Sequence, residues 1–462
     1  MKRRARFTAV LAVLVAVATA ISVEAASATS VGAGSAARAT PHKVIVGYFT
    51  QWGIYGRNYT VNNVETSGSA AKLDILNYAF GNVAPNTSGD VVCQSGDTWA
   101  DYQTPYLPQV DGVVPSPDDP MHGNFQQLKE LKTLHPDLKV LISLGGWSWS
   151  KYFSDAALTR ASREKFVASC IDLFIKGNLP DLAPGAGAGV FDGIDLDWEW
   201  PGSEGNTGNI IRPADKQNFT LLVKEFRRQL DKYGNTQTKR DYLLTAFLPA
   251  ARSYIDAGFE VRKIFRDLDY GNVQGYDLHG AFESQTNHQA NLFSSPADPS
   301  SPRYSVDDTV NAYLERGAPA EKIVIGAPFY SRGWTGVGAT NNGLYQSSTG
   351  PAPGVWEGGV NDYRVAKGLL ENGFNRYYDS AAGDAWLFDG TTFWTFDDPS
   401  VMQLKGQYVN RRGLGGIMFW ELSGDTSDGE LISSIASSLS PRSSRVHTHG
   451  STFDRARSSL VP

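Results

Sequence analysis

A chain of 462 residues is longer than one average domain but fits a large barrel with insertions. Its formal net charge of −6 argues against a polyanion such as nucleic acid as the partner. The 11 Trp, 20 Tyr and 22 Phe must largely be core, but so many Trp would also suit stacking against sugar rings, and composition does not decide between the two.

Residues 1–28 read as a secretory signal. Lys2, Arg3, Arg4 and Arg6 form a basic start, Phe7 to Ile21 an apolar run, and the Ala-rich stretch from Val23 to Ala28 a small-residue cleavage zone. The run is too short and too Ala-rich for a convincing membrane span, and no second candidate follows. An exported, soluble protein with no membrane partner is expected. Residues 29–42 have little to bury and read as a flexible leader. Export permits a disulfide between Cys93 and Cys170, the two cysteines. Cys93 reads as loop and Cys170 as part of an amphipathic helix face, so a buried free thiol at Cys170 is at least an equal expectation.

From Lys43 to Leu439 apolar strands alternate with helices. Strands are expected at Val44 to Phe49, Leu73 to Phe80, Val140 to Ser143, Ile194 to Trp198, Leu243 to Phe247, Val273 to Tyr276, Ile323 to Ala327 and Gly416 to Trp420. Helical spacing covers Phe125 to Leu134, Arg160 to Lys176, Ala214 to Tyr233, Val306 to Glu315 and Leu431 to Leu439, and a long polar loop precedes Met121. Eight such strands imply a closed parallel (β/α)8 barrel, in which chemistry sits at the strand C-termini. Residues 335–397 break the alternation. They hold Trp356, Trp386 and Trp394 and read as a small α+β insertion between the seventh strand and its helix. Residues 440–462 have no apolar period and read as a disordered tail, whose His447 and His449 carry no metal expectation. No separate carbohydrate-binding module or internal repeat is visible.

The fourth strand is the centre of the chemistry. Side chains alternate faces along a strand, so Asp195, Asp197 and Glu199 share one face and Ile194, Leu196 and Trp198 the other. Three carboxylates in a row cannot all ionise in a poorly solvated site, a cost that a structural role tolerates badly. Calcium loops separate their acids with small polar residues and a turn glycine, not with Ile, Leu and Trp. A catalytic carboxylate cluster is the expectation.

Asp192, Asp195, Asp197 and Glu199 form a D-x-x-D-x-D-x-E run that resembles the signature of the family 18 glycoside hydrolases, the chitinases. The resemblance implies Glu199 as proton donor, Asp197 as the group orienting the substrate's acetamide, Asp195 as a carboxyl sharing a proton with Asp197, and a structural Asp192. Ser143 and Gly145-Gly146 resemble an S-x-G-G motif that leaves room beneath the acids. Trp147 resembles a leaving-side stacking platform, Tyr276 and Asp277 the pair that holds the acetamido carbonyl, Tyr330 and Arg332 a P-F-Y-x-R-G pattern lining the cleft, and Trp420 an indole floor. Tyr48, Phe80 and Trp52 are further stacking candidates of the same kind. Gln274 stands where many relatives carry Met. The implied activity is a secreted, retaining chitinase acting on chitin and chito-oligosaccharides, as a monomer and without cofactor or metal. An endo-β-N-acetylglucosaminidase of glycoprotein glycans and a non-catalytic chitin-binding lectin are the alternatives. The insertion is expected to rise from the active-site face as one wall of a deep cleft.

Overall fold

The computed structural model describes residues 42–105, 107–113, 116 and 119–439. The signal, nearly all of the leader and the tail expected from the sequence lie outside them. Eight parallel strands run in chain order through Val44–Thr50, Ile75–Pro85, Lys139–Gly145, Gly193–Asp197, Leu243–Leu248, Tyr270–Val273, Ile323–Pro328 and Gly416–Trp420. Each pairs with its neighbours, and the first pairs with both the second and the eighth, which closes the barrel.

The alternation expected of the fourth strand holds. Asp195 and Asp197 point inward, while Ile194, Leu196 and Trp198 are buried against the helical layer. Trp198 stacks on Phe153 at 5.4 Å and meets Phe219 edge-on at 6.0 Å. Phe219 belongs to the helix Asp215–Tyr233, whose buried Phe219, Leu222, Val223, Phe226 and Leu230 recur at helical spacing. Asp192, just before the strand, pairs with Lys132 at 2.7 Å and accepts Val140 N–H at 3.0 Å, so it is tied into the scaffold.

Four expectations are corrected. The second strand does not end at Phe80 but runs to Pro85 and turns back as an antiparallel strand, Val91–Gln94. That hairpin carries Cys93 onto the helix Arg160–Cys170, where Cys93 and Cys170 form a disulfide with Cα atoms 4.9 Å apart, so Cys170 is not a free thiol. The sixth strand ends at Val273, before Tyr276. Its Gly271 and Asn272 break the apolar pattern yet pair in the ladder, because Asn272 faces the polar barrel interior. The insertion begins earlier than expected, at the strand Tyr330–Thr335, the first in chain order of a six-stranded antiparallel sheet whose last in chain order is Thr392–Phe396, with the helix Tyr363–Gly368 between them in sequence. Residues 277–304, between the sixth strand and the helix Val306–Glu315, form a long irregular segment that packs against this sheet, as His288 does on Trp386 at 5.6 Å.

Candidate active site

Asp195 lies beneath the floor and is fully buried. Ser143 and Thr245 are its register partners on the two neighbouring strands. Their hydroxyls donate to it at 2.7 and 2.5 Å, Tyr48 Oη donates at 2.8 Å and Asn272 Nδ2 at 3.3 Å. Burial raises its pKa and these four donors oppose the rise. Asp197, one inward position further on, has an Oδ1 with no hydrogen-bond partner. Burial, then Glu199, then Asp195 push its pKa well above the carboxylate range. Glu199 lies past the strand end in the cleft wall. Burial and the charge of Asp277 raise its pKa to about 8, so near neutrality it holds its proton.

The cleft above these acids has a volume of about 1050 Å³. Trp420 is central to one aromatic group: Phe80 stacks on it at 5.7 Å, with Tyr48 at 5.4 Å and Trp52 at 6.3 Å. A second group lies across the acids, with Phe247 between Trp200 at 5.6 Å and Tyr276 at 6.0 Å. Trp147 stands 52% exposed at the lip. Asp277, in the left-handed backbone region at φ 54°, accepts from Tyr330 Oη at 2.7 Å and Arg332 Nε at 2.8 Å. Those two residues come from the first strand of the insertion, whose Glu357, Val360 and Asp362 also line the cleft.

Residues 44–425 match the family described as glycosyl hydrolases family 18. The chain belongs to this family. It is 37% identical over 425 residues to chitinase A1 of Niallia circulans, covering 85% of this chain and 58% of that one. Against chitinase 63 of Streptomyces plicatus identity is 37% over 412 residues, covering 86% and 60%. The chain thus spans about three-fifths of the length of these relatives. The structure of the catalytic domain of psychrophilic chitinase B from Arthrobacter TAD20 aligns with a TM-score of 0.82 at 44% identity, over 86% of this chain and 95% of that one.

Of the candidate site residues of this family 18 chain, Glu199, Asp197, Tyr276, Tyr48, Phe80, Trp147, Asp277, Tyr330, Arg332 and Trp420 line the one cleft, as do Trp52, Gly145 and Gln274. Asp195 and Gly146 do not. Gly146, at φ 68°, makes room for the Phe80 ring, which a Cβ there would meet at 2.6 Å. The space it leaves is for an aromatic wall rather than for the acids. Trp386 and Trp394 lie inside the insertion and beneath it, not on the cleft. Sequence reading missed Arg57, which donates to Asp362 at 2.7 Å and lies 4.5 Å over Trp356, joining the insertion to the loop after the first strand. It also missed Phe282, Tyr254 and Glu421 on the cleft. No local pattern marks any of the four.

Proposed function

We propose that the chain is a secreted chitinase that hydrolyses β-1,4 N-acetylglucosamine linkages with retention of configuration, the substrate's acetamide acting as nucleophile. Most glycosidases use a pair of carboxylates, and family 18 is a recognised exception in which the substrate assists. The observation that carries the reading is the disposition of charge around Glu199. Glu199 and Asp197, both with raised pKa, face the cleft, and the other carboxylates lining it are engaged elsewhere. Asp277 is held by Arg332 and Tyr330, Asp362 by Arg57, and Glu421 by Ser423, while Glu357 stands at the rim 3.7 Å from Arg332. None is a free nucleophile opposite Glu199. The anomeric carbon then needs an internal nucleophile, and the unpartnered oxygen of Asp197 is available to accept the acetamide N–H and orient it. Tyr276 Oη, whose nearest partner is Met418 Sδ at 3.8 Å, is free to donate to the acetamide oxygen. Glu199 gives its proton to the leaving oxygen and, once ionised, takes one from the water that opens the oxazolinium ion. The aromatic groups on either side of the acids would stack on sugar faces. Export is supported by the basic-apolar N-terminal sequence and by the disulfide, which persists in oxidising compartments.

Glu199→Gln is expected to retain oligosaccharide binding and lose about 10²–10⁴-fold or more in turnover. Chains of fully deacetylated glucosamine should resist the wild-type enzyme, since they lack the attacking carbonyl. Cleavage between two glucosamine units would exclude the acetamide mechanism. Turnover of a high-mannose glycoprotein in preference to chitin oligomers would replace the substrate assignment.

A further inference from the structure

The fourth strand ends at Asp197, so the ladder that fixes Asp195 and Asp197 does not reach Glu199. An acid on unsupported loop backbone would wander, and a misplacement of about 1 Å costs on the order of 100-fold in rate. Two side chains take over where the ladder stops. Glu199 N–H donates to Ser150 Oγ at 2.9 Å, and Glu199 C=O accepts from Asn209 Nδ2 at 2.9 Å. Ser150 is fully buried, and its Oγ also lies 2.8 Å from the Gly146 carbonyl and 3.1 Å from that of Asp197. A hydroxyl has one proton and two lone pairs. Here the proton goes to the two carbonyls and a lone pair takes the Glu199 N–H. One oxygen therefore joins the end of the third strand, the end of the fourth and the peptide of the acid. On the other side, Gly205 approaches the Glu199 carbonyl so closely that a Cβ there would stand 2.0 Å from its oxygen. The absent side chain lets the loop that carries Asn209 close over the acid's backbone.

We infer that Ser150 and Asn209 are positioning residues that hold both peptide groups of Glu199, and through them aim its carboxyl at the leaving oxygen. The inference rests on Glu199 being the acid. Neither residue is needed to touch substrate.

Ser150→Thr and Ser150→Val add the same bulk and differ by one hydroxyl, so any packing cost cancels in their ratio. The Val variant should fall about 10–100-fold below the Thr variant in kcat on chito-oligosaccharides, with KM within about threefold. The basic limb of its kcat/KM profile should also move to lower pH, because a carboxyl released toward water regains its ordinary acidity. Asn209→Ala, at a half-buried loop position, should shift kcat and the pH limb the same way, and it decides the matter if the Ser150 variants do not fold. Equal kcat and superimposable pH profiles for the Thr and Val variants would overturn the inference, as would an Asn209→Ala enzyme indistinguishable from wild type. If Glu199→Gln is inactive in the same series, only the positioning role is lost. If Glu199→Gln is active, the assignment of the acid itself fails.

Discussion

Glu199 differs from an ordinary glutamate only in its surroundings. Burial in the cleft wall is the larger cause of its raised pKa, and the charge of Asp277 is the second. The carboxyl is protonated, and competent as an acid, below about 8, so kcat/KM should decline as pH rises through that value. Asp277→Asn removes the neighbouring charge but keeps an oxygen for Tyr330 and Arg332. The basic limb of that variant should therefore lie at lower pH than in wild type, whatever happens to KM. An unmoved limb would mean that Asp277 does not act on Glu199 through charge. Asp195 shows the complementary case. Four neutral donors, from Ser143, Thr245, Tyr48 and Asn272, surround it and oppose the rise that burial causes.

At the scale of elements, the hairpin Ile75–Pro85 with Val91–Gln94 links scaffold to site. Its first strand carries Phe80, whose N–H is held by Gln51 Oε1 at 2.7 Å, and its second is fixed to the helix Arg160–Cys170 by the disulfide and by Cys93 N–H on Ser169 Oγ at 3.0 Å. The disulfide spans a sequence separation of 77, and a cross-link of that length stabilises mainly by restricting the unfolded chain. The double variant Cys93→Ser/Cys170→Ser should lose about 2–5 kcal/mol in a denaturant titration. Its specific activity at 25 °C should stay near wild type, since the clamp lies outside the cleft. An unchanged unfolding midpoint would mean that the bond constrains nothing the fold does not already hold.

Across the whole molecule, the insertion and the segment 277–304 lock together around a buried ionic centre. His288, fully buried, lies 3.3 Å from Asp384 and 3.7 Å from Asp379, the two carboxylates flanking a turn of the insertion. Burial works against its charge, but the two carboxylates, Asp379 and Asp384, win and raise its pKa from 6.5 to about 9. The imidazole of His288 in turn helps lower Asp379 from 3.8 to about 2. A raised histidine contributes stability that is complete below the unfolded value of 6.5 and lost as pH rises through about 9. A lowered carboxylate contributes stability that is present above 3.8 and lost as pH falls toward about 2. The Tm difference between wild type and His288→Gln should therefore be largest between these limits, near pH 4–6.5, and shrink above pH 9. A difference independent of pH would assign His288 a packing role alone. Because Tyr363, Trp394 and Phe396 of the insertion belong to the same core as the barrel, the wall cannot be cut out at residue 335 without exposing that core.

What the sequence determined by itself is local and periodic. Alternation over Ile194 to Glu199 placed three acids on one face and three apolar side chains on the other, and apolar runs spaced by helices implied eight strands and a barrel. Those signals survive in a linear reading because each strand or helix must show one face to a core. The tertiary structure decided everything that depends on closure. Ser143, Thr245, Asn272 and Tyr48 converge on Asp195 from 52, 50, 77 and 147 residues away, a meeting that exists only because the strands pair in register around a ring. Cys93 looked like loop because its hairpin partner lies within a strand already counted. Ser150 and Asn209 carry no pattern, since their task begins where the strand ladder ends and is defined only by the backbone of another segment.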